Sequence, residues 1–357
     1  FGWLAFAALQ AQAAELRESG RNSSNPLSPK KPHFAARAKR VIFLFMEGGP
    51  SHLESFDWRP ELARVGGSAK SRYLAPVFDF QPRGKSGLMI SDAYPHLARQ
   101  SDELCLLNGM QTNNPGHHQA VVALHTGNEN FVRPSVGAWV TYGLGSESDS
   151  LPGFVTINPI VDKGGAANYG SAFLPATFQG TRLSSASRGV PNIRNRYLSS
   201  SDQRKQLDFV QRANRRLLHR DEGNPEVEGL IESAELAFRM QSSIPEALSL
   251  SDETQATQKM YGLDNRDSSQ FGTQCLMARR LAEHGVRFIQ LTSSGWDHHS
   301  RMREAFQFKA NATDKPIAGL IADLKQRDLL KDTLILWGGE FGRQPNPDNN
   351  GGRGHNN

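Results

Sequence analysis

Cysteine is scarce in this sequence. The 357 residues include two cysteines, Cys105 and Cys275, which lie far apart and outside any C-x-x-C pair. A zinc site built from thiolates and a dense disulfide framework are therefore excluded. We expect both cysteines to be small buried hydrophobic residues, although an exported chain could pair them.

Long hydrophobic runs are missing too. The apolar stretch Phe1–Leu9 has about nine residues, whereas a helix that crosses a bilayer needs about 20, so no integral membrane span is predicted. The stretch closes on Ala11-Gln12-Ala13, a small-x-small pattern typical of the end of a signal peptide. We therefore predict an exported protein of the periplasm or the cell exterior. The alternative is an N-terminal amphipathic helix.

Dense clusters of one charge are absent as well. The net charge is +5, but the basic residues are scattered, and no stretch combines them with exposed aromatic side chains as nucleic-acid readers do. Nucleic acid is therefore not predicted as a partner. A positive balance of this size suits an anionic substrate.

The composition that remains is that of a globular domain, with 38% hydrophobic and 22% charged residues. Residues 1–14 are interpreted as the remnant of an export signal peptide, and residues 15–40 as a polar linker. One folded domain is predicted over residues 41–357. A helical insertion is predicted at about 200–270, because acidic and basic side chains interleave at helical spacing there.

Short apolar runs alternate with helical patterns along that domain. Runs of strand length are Val41–Met46, Leu104–Leu107, Pro152–Ile160, Val286–Leu291 and Leu334–Trp337. Helical patterns run from His118 to a stop at Gly127, over Met277–Glu283 and over Asp314–Lys325. The alternation predicts an α/β fold with three α/β/α layers, a mostly parallel central sheet and a last strand that is buried on both faces.

Acidic and imidazole side chains follow three of these strands. Since the carboxyl ends of parallel strands share one edge of a sheet, we expect these side chains to converge. Asp-x-His in a turn can aim both side chains at one point, which favours His299 over His298; the alternative is that this segment caps the next helix. Carboxylates with imidazoles suit Zn, Mn or Fe. The predicted ligands of one or two divalent ions are Glu47, Asp297, His299, Glu340 and His355.

Two further residues are candidates for catalysis. His117 lies at the start of a predicted helix, where free N–H groups and the helix dipole favour an anionic group. Arg343 follows Glu340 closely and could clamp an anion with two parallel hydrogen bonds. The alternatives are a loop histidine satisfied by backbone carbonyls and an arginine in a salt bridge with a neighbouring acid.

Several segments together resemble one family. The segments Phe173–Gly180, Ala278–Phe288 and Gly295–His299 are typical of the DUF1501 family, sulfatase-like proteins of the alkaline phosphatase and sulfatase superfamily. Residues 332–342 are similar to the sulfatase strand that ends in a metal-binding aspartate, with Glu340 in that place. Glu47 matches the acidic end of the first strand. The resemblance covers about residues 41–357 and implies an alkaline phosphatase-like fold.

The resemblance also implies an activity. Members are exported, often through a twin-arginine signal, and the superfamily hydrolyses sulfate or phosphate esters with divalent metal. For this chain it implies one or two ions, with Zn, Mn or Ca as candidates, and an anionic ester substrate such as a sulfated polysaccharide. It leaves the oligomeric state open.

The chain departs from the superfamily at the nucleophile. Aligning the helix that ends in Thr126-Gly127 puts His117 where sulfatases have a modified Cys and phosphatases a Ser or Thr. Three alternatives follow: His117 is a nucleophile or metal ligand, a metal-activated water attacks, or catalysis is lost. In the last case the protein is an envelope protein that binds an anionic polysaccharide; a phosphoryl-transfer mutase is disfavoured by export. The position of His355 near the end predicts a fragment truncated at both ends.

Overall fold

The computed structural model of the chain describes residues 25–68, 70–185, 193–220 and 224–357. The predicted signal remnant at 1–14 and residues 15–24 of the predicted linker lie outside these residues. Within them, no helix is both long and apolar enough to cross a membrane.

A five-stranded parallel sheet forms the centre of the molecule. Its strands, in spatial order, are β5, β4, β6, β1 and β7. Residue pairing is in parallel register throughout, with Val41 opposite both Phe288 and Leu334. The predicted α/β class with a mostly parallel central sheet is thereby confirmed. The strands are β1 (Arg40–Met46), β4 (Phe154–Ile157), β5 (Thr181–Leu183), β6 (Phe288–Ser293) and β7 (Thr333–Gly338).

Helices and two hairpins surround this sheet. The hairpins are formed by β2 (Phe80–Arg83) with β3 (Leu88–Ser91), and by β8 (Gly342–Asp348) with β9 (Gly352–Asn356). The α-helices of the described residues are α1 (Pro60–Gly66), α2 (His117–Thr126), α3 (Val136–Leu144), α4 (Ser200–Arg220), α5 (Pro225–Ala247), α6 (Gln255–Met260), α7 (Ser269–Glu283) and α8 (Met302–Gln326).

Strand β1 shows why the sheet is covered on both faces. Ile42, Leu44 and Met46 point to one face and join the larger apolar cluster, while Phe43 and Phe45 point to the other and join a smaller one. A strand buried in this way reads as a continuous apolar run, since neither face tolerates polar side chains. Each of these side chains stabilises the fold by about 1.5–3 kcal/mol through burial.

The segment Ala278–Phe288, one of the family-like motifs, contains an arginine that links α7 to neighbouring elements. Arg279 is 1% exposed and forms ion pairs with Glu253, Glu283 and Asp323 at 2.6, 2.5 and 2.9 Å. Asp323 belongs to α8, so the network ties α7 to α8. A buried guanidinium needs such partners, because an unpaired buried charge costs several kcal/mol.

The structure corrects four local predictions. Cys105 is exposed, whereas Cys275 is buried as expected. Leu104–Leu107 is irregular and follows a 3₁₀ helix at Leu97–Glu103. The last helix begins at Met302 rather than near Asp314. Strand β7 is the outermost strand of the sheet as described, and it is not buried on both faces, since Leu334 and Leu336 are 46% and 40% exposed. An apolar run of this length does not reveal whether a further strand or helix covers it.

Helices fill the region predicted as an insertion. The helical insertion is predicted at about 200–270, and α4, α5, α6 and the start of α7 lie there. The charged pattern holds for α4, whereas α5 contributes Leu236, Met240 and Ile244 to the larger apolar cluster. The insertion itself stays a prediction.

Candidate metal centre

The site begins where β1 ends. Gly48 and Gly49 follow Glu47 with φ values of +114° and +68°, in the region that disfavours side chains. A Cβ on Gly48 would lie 2.6 Å from the backbone nitrogen of Asp297. The two glycines therefore let the end of β1 approach the loop that follows β6, and Trp296 N donates to Glu47 O at 3.0 Å to hold it there.

Glu340, just after β7, turns its carboxylate into this glycine turn. Gly48 N lies 3.0 Å from Oε1 and Gly49 N lies 3.2 Å from Oε2. Two successive backbone N–H groups form a concave cradle for an anion. The side chain is fully buried, so Glu340 has a fixed position and orientation.

His117, the first residue of α2, stands between two carboxylates. Its Nδ1 is 2.7 Å from Glu340 Oε1, and its Nε2 is 3.0 Å from Asp297 Oδ2. The ring also packs against Phe341, with centroids 4.8 Å apart. Gly116, in extended conformation before the helix, allows this entry.

Asp297, His299 and His355 meet on the far side of His117. Asp297 Oδ1 lies 2.9 Å from His299 Nε2 and 3.0 Å from His355 Nε2. The two Nε2 atoms are themselves 2.9 Å apart. Asp297 and His299 come from the loop after β6 and His355 from β9, so residues distant in sequence converge here.

The other ring nitrogen of each histidine fixes its tautomer. Nδ1 of His117 faces Glu340, Nδ1 of His299 lies 2.6 Å from Asp348 Oδ2, and Nδ1 of His355 lies 2.7 Å from the carbonyl oxygen of Pro115. These partners accept hydrogen bonds, so each Nδ1 carries a proton. In the neutral ring the lone pair is then on Nε2, the arrangement typical of histidines that bind metal.

Nε2 of each of the three histidines lies within 3.0 Å of an Asp297 oxygen, and the ligand atoms of His117, Asp297 and His355 lie within 4.8 Å of one another. Among the described residues, His117 Nε2 is buried and faces Asp297 Oδ2 at 3.0 Å, where it can hold either a proton or an ion. Around an ion with ligand bonds of about 2.0–2.1 Å, tetrahedral ligands are about 3.3–3.4 Å apart. The observed distances of 2.9–3.0 Å are within a few tenths of an ångström of that spacing. The residues thus fit a divalent cation.

Protons compete for the same place. Burial lowers the pKa of His117, but the carboxylates of Asp297 and Glu340 outweigh burial and raise it to about 9. Burial raises the pKa of Asp297, but its contacts with His117, His355 and Arg343 outweigh burial and hold it well below the ordinary value. Without a cation, His117 therefore holds a second proton, which metal binding would displace.

Glu47 lies on the other side of His117. It is 6% exposed, pairs with the Lys163 ammonium through Oε1, and accepts a hydrogen bond from Gly295 N at 3.3 Å through Oε2. One ligand atom from each of Glu47, His117 and Glu340 lies within 4.8 Å of the others. A second acidic trio therefore adjoins the first, and His117 belongs to both.

Arg343 is not an anion clamp in this structure. Its side chain is fully buried; Nη2 pairs with Asp297 Oδ1 at 2.5 Å, and Nε donates to the carbonyl oxygen of Gly49 at 2.8 Å. Further bonds reach the carbonyl oxygens of Gly48 and Arg353. The alternative of a salt bridge to a neighbouring acid describes Arg343, which positions Asp297.

The structure thus brings together all five residues predicted as ligands, with His117 between them. His298 lies apart: it is 7% exposed, its ring packs against Trp296 and Phe306, and burial lowers its pKa to about 4. The sequence analysis missed Lys163 and Asp348. Lys163 stands in a Gly-rich loop and Asp348 in a polar hairpin, and neither pattern indicates chemistry.

Comparison with known proteins gives a family and no named relative. A family model described as "Protein of unknown function (DUF1501)" matches residues 38–357. No curated protein and no solved structure matches the chain.

Proposed function

The chain belongs to the DUF1501 family, and we propose that it is an exported, sulfatase-like hydrolase of sulfate or phosphate esters that depends on a divalent metal. The observation that carries this proposal is the convergence of three Nε2 atoms with the Asp297 carboxylate, each imidazole being oriented through its Nδ1. These residues lie at the carboxyl edge of the parallel sheet, which is where α/β proteins bind their ligands.

His117, Asp297, His299 and His355 would hold the ion. This assignment differs from the sequence prediction in three respects: Glu340 becomes the carboxylate that orients His117, Glu47 is no longer a ligand, and His117, predicted as a catalytic residue, becomes a ligand. Imidazole ligands favour Zn or Mn over Ca, which prefers a shell of oxygen atoms. A bound divalent ion supplies Lewis-acid chemistry toward an ester's oxygen atoms.

The surrounding residues have defined tasks in this proposal. Asp348 and the Pro115 carbonyl keep His299 and His355 in the ligating tautomer, and Arg343 fixes Asp297. Phe341 packs against both His117 and His355 and excludes water from one side of the centre. The alkaline phosphatase-like fold and superfamily membership are part of the same proposal, supported by the resemblance of residues 332–342 and by the parallel sheet.

A non-catalytic role is the second candidate. It is favoured by His117, which stands where the superfamily has its Cys, Ser or Thr nucleophile. In this role the same centre would bind an anionic polysaccharide without turnover.

Elemental analysis tests the proposal first. The purified protein is expected to contain transition metal, and Asp297→Ala and His355→Ala are expected to lose it, while His118→Ala, next to the cluster but outside it, retains it. Aryl sulfate, aryl phosphate and phosphodiester substrates are then assayed with the metal found. Metal-dependent turnover supports the hydrolase. Unchanged metal content in both Asp297→Ala and His355→Ala contradicts the proposed site. A protein that contains metal and binds polysaccharide without turnover favours the second candidate.

A further inference from the structure

We infer that the centre holds a single divalent ion and that the ammonium group of Lys163 takes the place of a second one on the Glu47 side of His117. This inference rests on the proposed metal site and specifies how many ions it takes. It concerns the trio of Glu47, His117 and Glu340, which by distance alone also suits an ion.

Most ligand atoms of this trio already have partners. Glu340 already accepts hydrogen bonds from His117 Nδ1 and from two glycine nitrogens. An ion held by this trio would replace the proton on His117 Nδ1 and would need Glu47 as a free carboxylate. The carboxylate that remains, Glu47, is paired with Lys163.

Lys163 is held in position by its backbone. The buried Asn168 side chain donates to the Lys163 carbonyl oxygen at 2.8 Å, and the 3₁₀ turn at Gly165–Asn168 packs against α2, the helix that carries His117. The side chain is 27% exposed, and Glu47 opposite it is 7% exposed. The surrounding structure therefore holds the Lys163 ammonium group in a defined position at the site.

Charge balance gives the second argument. Counted over the groups in direct contact, the cluster contains four carboxylates, of Glu47, Asp297, Glu340 and Asp348, and two cations that pair with them, of Lys163 and Arg343. With neutral histidines, one divalent ion neutralises the cluster, whereas a second ion would leave an excess of positive charge in a largely buried place. Uncompensated charge in such surroundings is strongly unfavourable.

The test counts ions. The protein is saturated with ZnCl₂ or MnCl₂, desalted and measured by elemental analysis, and we expect one ion per chain. Lys163→Met removes the charge but keeps the length, and we expect two ions. Lys163→Arg, the matched control, is expected to keep one, and the double variant with Lys163→Met and Glu47→Gln is expected to return to one.

The outcomes separate this inference from the proposed function. Two ions in the unsubstituted protein overturn the role of Lys163 and leave the metal site intact. A single ion in a folded Lys163→Met variant also overturns it, and circular dichroism establishes that the variant is folded. Absence of metal from the unsubstituted protein overturns the proposed function and this inference together.

Discussion

His125 shows how differently two histidines of one helix are used. Whereas His117 begins α2 at the candidate metal centre, His125 is fully buried near the end of the same helix. Its Nδ1 donates to the Val121 carbonyl oxygen at 2.8 Å, and its Nε2 lies 3.1 Å from Gln290 Nε2, from which it accepts. Its ring meets Phe45 edge to face at 4.7 Å. Burial lowers its pKa from an ordinary 6.5 to about 4, so this histidine is neutral in the folded protein.

This neutral histidine makes the fold sensitive to acid. Because its pKa is lower in the folded than in the unfolded chain, its contribution is present above pH 6.5 and is lost as the pH falls toward 4. The loss amounts to about 3 kcal/mol at most, since one pKa unit corresponds to about 1.4 kcal/mol. In His125→Gln the free energy of unfolding should fall less steeply over this range than in the unsubstituted protein.

Urea unfolding at pH 7, 5.5 and 4, with metal chelated throughout, checks the expectation. His33→Gln, at an exposed position, is the control and should keep the original pH dependence. Equal slopes for His125→Gln and the unsubstituted protein would show that His125 is not the acid-sensitive group.

Among the secondary-structure elements, the β8–β9 hairpin has the most direct effect on the centre. It supplies His355, one of the proposed ligands, and Asp348, the partner of His299. Arg353 anchors it through a fully buried ion pair with Glu54, at 2.7 Å. The hairpin also approaches the loop after β6 closely: a Cβ on Gly352 would lie 1.9 Å from the backbone carbon of His299.

Gly352→Ala should therefore separate the hairpin from that loop and weaken metal binding. Displacement of a ligand together with its orienting carboxylate is expected to lower the affinity for Zn about 10- to 100-fold. Isothermal titration calorimetry measures the change. Gly354→Ala in the same strand is the matched control, because its Cβ would meet the flexible Gln344 side chain at 3.3 Å. Equal affinities for the two variants would contradict this account of the hairpin.

At the scale of the whole molecule, the residues of the candidate centre come from separate parts of the fold. The start of α2, the loop after β6, the end of β7 and the hairpin each contribute one or two groups. In an unfolded chain these groups are far apart, so an ion binds the folded state much better than the unfolded one. Metal binding should consequently stabilise the entire domain.

The expected gain follows from mass action. At free Zn of about 100 times the dissociation constant, the free energy of unfolding should rise by about 2.7 kcal/mol over the chelated protein. Urea titrations with and without chelator measure it. His355→Ala should show almost none of this increase, whereas His118→Ala should keep it. A similar gain in His355→Ala would mean that the ion binds elsewhere.

The local features of this protein could be read from its residues alone. The apolar run at Val41–Met46 is a strand, the helix beside His117 ends at Gly127 in a left-handed conformation, and the α/β class follows from the alternation of such segments. The acidic and imidazole residues after the strands were identified in the same way, because the carboxyl ends of parallel strands share one edge. These features depend on neighbours in sequence and on periodicity, which are visible in the chain.

The partners of the site residues came from the folded arrangement. Glu340 rests in the turn of Gly48 and Gly49, Arg343 pairs with Asp297, and Lys163 pairs with Glu47. These contacts join segments that are 292, 46 and 116 residues apart in sequence. The exposure of β7 likewise depends on which strands lie beside it. A side chain's charge, tautomer and accessibility are set by the groups packed around it, and sequence order does not specify which groups those are.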